Sequence, residues 1–150
     1  MSTPPVIRPL VRDDWSEWKR LWHGYLLFYE TELTSDIYEA YFNRLIGDDP
    51  QDYNGVIAEV DGVPVGLAHF LFHRHGWKIE NTCYLQDLYA DPGVRGRGIG
   101  RALVEAVYSA ADAAEAPSVY WLTQDFNREA RKLYDRVGTL TPFIKYALSG

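Results

Sequence analysis

The sequence contains a single cysteine, Cys83, so no internal disulfide can form. Long apolar runs are also missing, and the stretch 67–72 is far shorter than the roughly 20 residues that span a bilayer. The first ten residues show no basic segment followed by an apolar run, the pattern of an export signal. We therefore expect a cytoplasmic protein with no membrane partner.

A surplus of positive charge is missing as well. The chain has 15 Lys and Arg against 21 Asp and Glu, a formal net charge of −6. Residues 1–90 carry 7 Lys and Arg against 14 Asp and Glu, whereas residues 91–150 carry 8 against 7. A nucleic-acid partner is not expected, because such binding relies on a basic face. Anions should prefer the second part of the chain and cations the first.

The residues that are present suffice for a folded core, since 47% are hydrophobic. There is no internal repeat, and Pro and Gly fall singly between periodic segments, so we expect one domain over residues 1–150. Apolar periodicity predicts strands at 6–10, 55–60, 63–73, 82–90, 118–123 and 143–148, and helices at about 14–29, 35–46, 98–115 and 128–137. This order predicts an α/β protein with a mixed sheet and helices packed on it.

The stretch RGRGIG at 95–100 precedes a predicted helix and has three arginines around it, Arg95, Arg97 and Arg101. The first amides of a helix have no intrahelical partner, and the helix dipole makes this end positive, so the loop is a candidate anion site. A Walker A loop would need Gly-Lys-Ser/Thr here, and a dinucleotide fingerprint would need glycine at position 101. Neither pattern fits, and a glycine-rich turn without a ligand is the alternative.

Three segments resemble those of one enzyme family. Arg95-x-x-Gly98-x-Gly100, after a strand that ends LQDLYADP at 85–92, resembles the acetyl-coenzyme A motif of the GNAT N-acetyltransferases. The opening IRPL at 7–10 and the later N-x-x-A-x-x-L-Y at 127–134 also resemble that family. The resemblance covers the whole chain. It implies a GNAT-like fold, a central twisted, mostly antiparallel sheet with helices on both faces.

The segments around Tyr84–Tyr89, the Tyr120-Trp121 strand and the end Phe143–Tyr146 resemble one branch of that family more closely. This branch contains spermidine/spermine, small histone and amino-acid N-acetyltransferases, so the acceptor could be a polyamine, an amino acid or a basic peptide. The resemblance also implies a homodimer. A GNAT-like module that binds acetyl-CoA without turnover is the alternative function.

Residue roles follow from the resemblance, in which acetyl-CoA gives its acetyl group directly to an amine. The pyrophosphate would lie on the loop residues Arg95, Gly96, Arg97, Gly98, Gly100 and Arg101. Leu88 and Ala90 would pair their backbone with the pantetheine arm, and Asn127 would hydrogen-bond the cofactor. Tyr134 would protonate the departing thiolate. The first helices line the acceptor groove in the family, which makes Tyr25 and Tyr29 candidate substrate contacts.

Gln86 departs from the polyamine-acetylating relatives, which have a glutamate general base at this position. A glutamine cannot take a proton, so Gln86 can only orient the amine or a water. The base is then an ordered water, another carboxylate such as Glu80, or absent. Asp87 is adjacent, but strand alternation is expected to place it on the opposite face from Gln86.

Two properties of the acceptor point in different directions. Deprotonating a lysine-like amine at pH 7 costs about 4.6 kcal/mol, whereas an α-amino group of pKa about 7.8 costs only about 1.1 kcal/mol. A site without a carboxylate base therefore favours an α-amino group. The acidic first part of the chain instead favours polyamines or basic peptides.

The remaining candidates are expected to be structural. His73 and His75 have no further ligand at a suitable spacing, so no metal site is predicted. His69 lies within an apolar strand and is expected in the core. Cys83 is expected to pack rather than to act as a nucleophile, since GNAT chemistry forms no acyl-enzyme.

Overall fold

The computed structural model describes residues 3–94 and 96–149. The strands are β1 (Val6–Pro9), β2 (Asn54–Val60), β3 (Val63–His73), β4 (Thr82–Ala90) and β5 (Val119–Tyr120). The helices are α1 (Trp15–Phe28), α2 (Ser35–Ile46), α3 (Ile99–Ala113) and α4 (Arg128–Val137). None of the helices in the described residues is long and apolar enough to cross a membrane.

The five strands form one sheet in the order β1-β2-β3-β4-β5. The first four are antiparallel neighbours, and β5 runs parallel to β4. Asp61 and Gly62 connect β2 to β3 with positive φ angles of 53° and 78°, as a tight hairpin turn requires. The predicted mixed, mostly antiparallel sheet is therefore confirmed.

Helices cover both faces of this sheet. On one face α1 and α2 bury an aromatic-rich cluster that includes Trp18, Trp22, Tyr38 and Phe42. On the other face α3 buries the stripe Ile99, Leu103, Val104, Val107 and Ala111 against β3 and β4. The helical spacing of these apolar residues accounts for both helices, because it directs one face of each toward the sheet. The two cores hold β4 rigidly between them.

A β-bulge interrupts the pairing of β3 with β4. His69 pairs with Asp87, but the next residue of β3, Phe70, pairs with Leu85. Gln86 is therefore an extra residue on β4, and the alternation of side chains restarts after it. Leu85 packs in the α3 core, whereas Asp87 contacts residues of the α1 and α2 side.

The C-terminal segment differs from the prediction. Residues 143–148, expected to form a strand, have no strand conformation, and β5 covers only two residues of the predicted 118–123. A strand requires a neighbour that supplies its hydrogen bonds, and the described part of the chain pairs no strand with this segment. Its apolar side chains, with that of Leu140 just before it, are exposed: Leu140, Phe143, Ile144, Tyr146 and Leu148. We call residues 140–148 the apolar tail.

Candidate active site

A groove of about 470 Å3 opens between α1, α2 and β4. Its lining residues are Trp22, Asp36, Ile37, Ala40, Tyr41, Arg44, Tyr53, Gln86 and Asp87, and we call it the aromatic groove. The five residues from α2 share one face, because their spacing of three and four positions aligns them along the helix. A larger hollow of about 680 Å3 lies at the C-terminal end of α3, where Asp112 is the one titratable carboxylate among its lining residues.

The bulge brings Gln86 and Asp87 to the same groove. Strict alternation predicted opposite faces for these two residues, and that prediction is wrong because the extra residue in β4 shifts the alternation by one position. Gln86 is exposed at the groove, and Asp87 is only 5% exposed. A carboxylate therefore does line the candidate acceptor site.

Asp87 accepts hydrogen bonds on the α1 and α2 face of the sheet. The hydroxyl of Tyr41 donates to Oδ2 of Asp87. Nδ1 of His69 lies 2.9 Å from the same Oδ2. Nε2 of His69 lies 3.0 Å from the indole Nε1 of Trp18.

The hydrogen-bond network assigns the tautomer of His69. An indole N–H can only donate, so Nε2 of His69 must accept the hydrogen bond from Trp18. The ring proton is then on Nδ1, where it donates to Asp87. His69 is completely buried, as its place in an apolar strand predicted. The buried Asp87 carboxylate is therefore hydrogen-bonded by both a histidine and a tyrosine.

The tyrosines around Asp87 remain protonated. Burial, together with the negative charge of Asp87, raises the pKa of Tyr41 and of Tyr25 well above the ordinary tyrosine value. Burial also raises the pKa of Tyr29, with a smaller contribution from Asp87. Glu80, the carboxylate considered as a base from the sequence, is exposed between β3 and β4 and is not among the groove-lining residues.

Tyr134 lies on α4, half-buried against Trp121 at 5.5 Å between ring centroids. Burial, with a smaller contribution from Tyr29, raises the pKa of Tyr134 to about 12. The phenol is therefore fully protonated at neutral pH and available as a proton donor.

The glycine loop leads directly into α3, as predicted. Gly96 and Gly98 have φ angles of +86° and +78°, and a Cβ placed on either would meet no atom within 4 Å. Gly98 is the N-cap of α3 and Arg97 beside it is exposed. The backbone here is bare and open on the side where an anion would approach the first amides of the helix. Arg95 lies outside the described residues.

Gly100 and Arg101 have additional roles within the protein. A Cβ at Gly100 would lie 3.1 Å from Cδ2 of Leu133, so this glycine allows α4 to pack closely on α3. The Arg101 guanidinium lies 2.9 Å from the carboxylate of Glu105, one turn further along the helix. These contacts distinguish Gly100 from Gly96 and Gly98, which the sequence had grouped together.

The strands β4 and β5 separate beside this loop. Their pairing ends at Tyr84 and Tyr120, while β4 continues through Leu88 to Ala90. A narrow opening between two diverging parallel strands is a place where an extended ligand arm can lie against the backbone. Asn127 is the N-cap of α4, and its side-chain amide donates to Thr123 at 3.3 Å.

The histidines near the β3–β4 connection are held by protein groups. Nε2 of His73 lies 2.8 Å from the Tyr120 hydroxyl, and His75 accepts the backbone N–H of Trp77 at 3.0 Å. Within residues 3–94 and 96–149, no three His, Cys, Asp or Glu side chains are grouped as metal ligands. Cys83 is buried, and burial raises the pKa of its thiol to about 12.

Of the nine groove-lining residues, sequence reasoning placed only Gln86 at the acceptor and put Asp87 on the opposite face. It missed the other seven, which are Trp22, Asp36, Ile37, Ala40, Tyr41, Arg44 and Tyr53. The helical spacing of Tyr41 and Arg44 was recognised, but that pattern does not show which face meets the sheet. The position of Asp87 depends on the bulge, for which the sequence carries no clear turn or glycine signal.

Comparison with known proteins shows the same family throughout. The acetyltransferase (GNAT) family profile matches residues 11–139. The D-amino-acid N-acetyltransferase of Saccharomyces cerevisiae is 32% identical over 146 residues, which cover 97% of this chain and 91% of the yeast protein. The thialysine N-epsilon-acetyltransferase of Bos taurus is 30% identical over 94 residues, 57% of this chain and 55% of the bovine protein.

Solved structures share the fold. The ribosomal-protein-alanine N-acetyltransferase from Brucella melitensis biovar Abortus 2308 superposes with a TM-score of 0.82 at 20% identity, covering 99% of this chain and all of that one. An aminoglycoside acetyltransferase, AAC(6')-Iy, bound to a bisubstrate analogue, gives a TM-score of 0.80 at 19% identity over 99% of each chain.

Proposed function

This chain belongs to the GNAT acetyltransferase family, and on that premise we propose that its acceptor is a small amine, free amino acids foremost. It is an N-acetyltransferase that takes the acetyl group from acetyl-CoA. The observation that carries the acceptor proposal is the aromatic groove with the carboxylate of Asp87 in its wall. A groove of about 470 Å3 is within the size range of small-molecule sites. The name of the yeast relative, a D-amino-acid N-acetyltransferase, supports amino acids.

The reaction releases one proton overall. An ammonium acceptor first loses a proton, and the neutral nitrogen then attacks the thioester carbonyl. The C–N bond forms, the C–S bond breaks, and the nitrogen loses a second proton as the amide is produced. One of the two protons ends on the coenzyme A thiol and the other goes to solvent.

We assign the cofactor side to the glycine loop and the end of β4. The amides at the start of α3, with Gly96, Gly98, Gly100 and the arginines 95, 97 and 101, would bind the pyrophosphate. Leu88 and Ala90 would pair with the pantetheine arm where β4 and β5 separate. Asn127 would hydrogen-bond the cofactor through its side-chain oxygen, since its amide nitrogen already donates to Thr123.

Tyr134 would donate a proton to the leaving thiolate, for which its raised pKa of about 12 suits it. Gln86 would orient the attacking amine at the groove, where it is exposed. Tyr25 and Tyr29 are not among the groove-lining residues, and we propose that they contribute to the acceptor wall beside it. The negative charge of Asp87 adds to burial in raising the pKa of both.

A homodimer is part of the same proposal. Monomeric proteins rarely expose large apolar patches, and the apolar tail exposes five large apolar side chains within nine residues. A second copy is the partner best matched to it, because the tail has the apolar composition of a strand and lies outside the sheet. We also propose that residues 1–150 form one domain. We propose in addition that the protein is cytoplasmic, and cell fractionation would test this location.

An acceptor screen tests the proposed function. Purified protein with acetyl-CoA would be given polyamines, free L- and D-amino acids, basic peptides and aminoglycosides, and released thiol would be measured. We expect small amines to stimulate thiol release and amino acids to give the largest kcat/KM. If only basic peptides stimulated thiol release, the proposal of a small-amine acceptor would be contradicted. If none of the amines stimulated thiol release, the proposed reaction itself would be contradicted.

A further inference from the structure

Trp22 lines the aromatic groove and has a buried hydrogen-bond donor without a partner in the described part of the chain. The residue lines the groove and is 5% exposed, and its indole Nε1–H has no hydrogen-bond partner within the described residues. Such an orphaned buried donor costs free energy unless a ligand supplies an acceptor. An ammonium group cannot do so, because it only donates. An oxygen of a bound acceptor would satisfy this donor, whereas a second ammonium group would not.

Arg44 adds a positive charge to the same groove. It is exposed on α2, and the described residues give it no ion pair, in contrast to Arg8, Arg20 and Arg101, which pair with carboxylates. A guanidinium presents a planar set of donors that matches a carboxylate. Arg44 would repel a polyamine, whereas it would attract an acceptor with a carboxylate.

Tyr41 connects this positive charge to Asp87. Arg44 follows Tyr41 by three residues on α2, so their side chains are neighbours on one helix face. The Tyr41 hydroxyl binds Asp87, and its ring lies 5.0 Å from the ring of Trp22. Tyr41 thus contacts both Asp87 and Trp22 and lies within one helical turn of Arg44.

We propose that the aromatic groove binds a zwitterionic α-amino acid, with its ammonium at Asp87 and its carboxylate at Arg44 and the indole N–H of Trp22. The proposal rests on the proposed function and narrows its acceptor. Asp87 retains acceptor capacity for the ammonium, since a carboxylate has about four lone-pair sites and the two side-chain donors, Tyr41 and His69, both bind Oδ2. Arg44 and Trp22 are then specificity-determining residues, because the reaction occurs at the nitrogen.

Asp36 supports the competing polyamine acceptor. Its carboxylate also lines the groove, near the start of α2, and could bind a second ammonium. Asp36 already accepts the Thr34 hydroxyl, which lowers the pKa of this carboxyl, and it is exposed to solvent. A polyamine bound there would leave the indole N–H of Trp22 without an acceptor. An amino acid therefore explains more of the groove's polar groups than a polyamine does.

The test compares acceptors that carry the carboxylate with analogues that lack it, over a range of pH so that differences in amine pKa are taken into account. Phenylalanine, in L and D forms, would be measured against phenylalaninamide and phenethylamine by thiol release from acetyl-CoA. We expect kcat/KM to be about 10- to 100-fold higher for the better phenylalanine enantiomer than for either analogue. A second amino acid with a small side chain and its own amide would show that the effect does not depend on the aromatic ring.

Variants locate the effect. Arg44→Gln should raise KM for the amino acid about 10- to 100-fold, with kcat less affected and phenethylamine unchanged or improved. Arg12→Gln, an exposed arginine outside the groove, is the matched control and should change neither acceptor. Trp22→Phe should also raise KM for the amino acid selectively, and thermal unfolding would show whether this core variant folds.

Two results would overturn the proposal while leaving the N-acetyltransferase intact. One is that wild-type protein acetylates phenethylamine or a polyamine at least as well as every amino acid tested. The other is that Arg44→Gln folds and keeps the wild-type preference for the carboxylate. Absence of amine-stimulated thiol release with any acceptor would instead contradict the proposed reaction itself, so the two failures are distinguishable.

Discussion

At the scale of single residues, Tyr134 offers the most direct test of the chemistry. Phenylalanine keeps the ring against Trp121 but removes the hydroxyl that would protonate the thiolate. Tyr134→Phe should therefore lower kcat by about 10²-fold or more, with acetyl-CoA affinity nearly unchanged. Because the phenol is protonated below its pKa of about 12, kcat of the wild type should not fall as the pH rises through the ordinary tyrosine value of about 10. Steady-state kinetics against pH would measure both effects.

Tyr108 provides the control for this substitution. Its hydroxyl donates to the backbone oxygen of Val137 at 2.5 Å and ties α3 to α4, away from the groove. Tyr108→Phe should cost about 1 kcal/mol of stability and little of the rate. Equal rates for Tyr134→Phe and the wild type, with chemistry rate-limiting, would mean that Tyr134 only packs.

Gln86 should tolerate a carboxylate. Because Gln86 is exposed at the groove beside Asp87, Gln86→Glu places a second possible proton acceptor near the amine. We expect a folded, active enzyme whose rising alkaline limb of kcat/KM shifts to lower pH. A limb that stays in place would show that position 86 does not face the amine, and Gln86→Ala would report the loss of orientation alone.

The sequence predicted the element on which a residue lies better than it predicted the face to which the side chain points. Gly98 and Asn127 are helix N-caps and Tyr134 lies on α4, in agreement with the predicted helix boundaries, because these boundaries follow from local sequence. Their roles toward acetyl-CoA stay predictions. The prediction that Asp87 lies on the opposite face of β4 from Gln86 was wrong. A bulge depends on how two strands pair, and local sequence does not specify that pairing. The unsatisfied donor of Trp22 depends on tertiary packing and has no sequence signal.

At the scale of elements, substitutions of two glycines can distinguish an effect on acetyl-CoA binding at the start of α3 from an effect of backbone strain. Gly98 and Gly62 both have φ of +78°, and an added Cβ would meet no atom within 4 Å at either position. Alanine should strain both backbones alike, by about 1–2 kcal/mol. Only Gly98→Ala should weaken acetyl-CoA binding, by about tenfold or more, since its Cβ would fill the space beside the helix amides. Calorimetry would measure the affinity.

Thermal unfolding of the same pair completes this test. Similar losses of stability with a selective loss of affinity in Gly98→Ala would support the anion site. Unchanged affinity in a folded Gly98→Ala protein would contradict it. Gly100 is unsuitable for this comparison, because a side chain there would meet Leu133 and disturb the packing of α4.

Most elements were predicted close to their observed bounds. The helix at 35–46, the strands at 63–73 and 82–90 and the helix at 128–137 coincide with α2, β3, β4 and α4. Their apolar residues follow one period from end to end, so local sequence and tertiary packing agree. The segment 143–148 has the composition of a strand but pairs with no strand within the described chain. Composition alone does not show whether a segment has a neighbour to pair with.

At the scale of the whole molecule, the apolar tail should determine the oligomeric state. Phe143→Ser combined with Tyr146→Ser removes two large exposed apolar side chains and should shift a dimer toward monomer, as measured by sedimentation. Val6→Ser, an exposed apolar residue on β1 at the other edge of the sheet, is the control and should leave the dimer intact. A wild-type protein that sediments as a monomer at micromolar concentration would contradict the homodimer.

The bulge at Gln86 has a consequence at the level of the gene. Loss of the single codon for Gln86 would leave Leu85 next to Asp87, and the two would pair with Phe70 and His69 without interruption. Every following side chain of β4 would keep the face that it now occupies, so the core would remain filled. The sheet could therefore form from a reading frame one codon shorter, and what the extra codon adds is a residue in the groove wall.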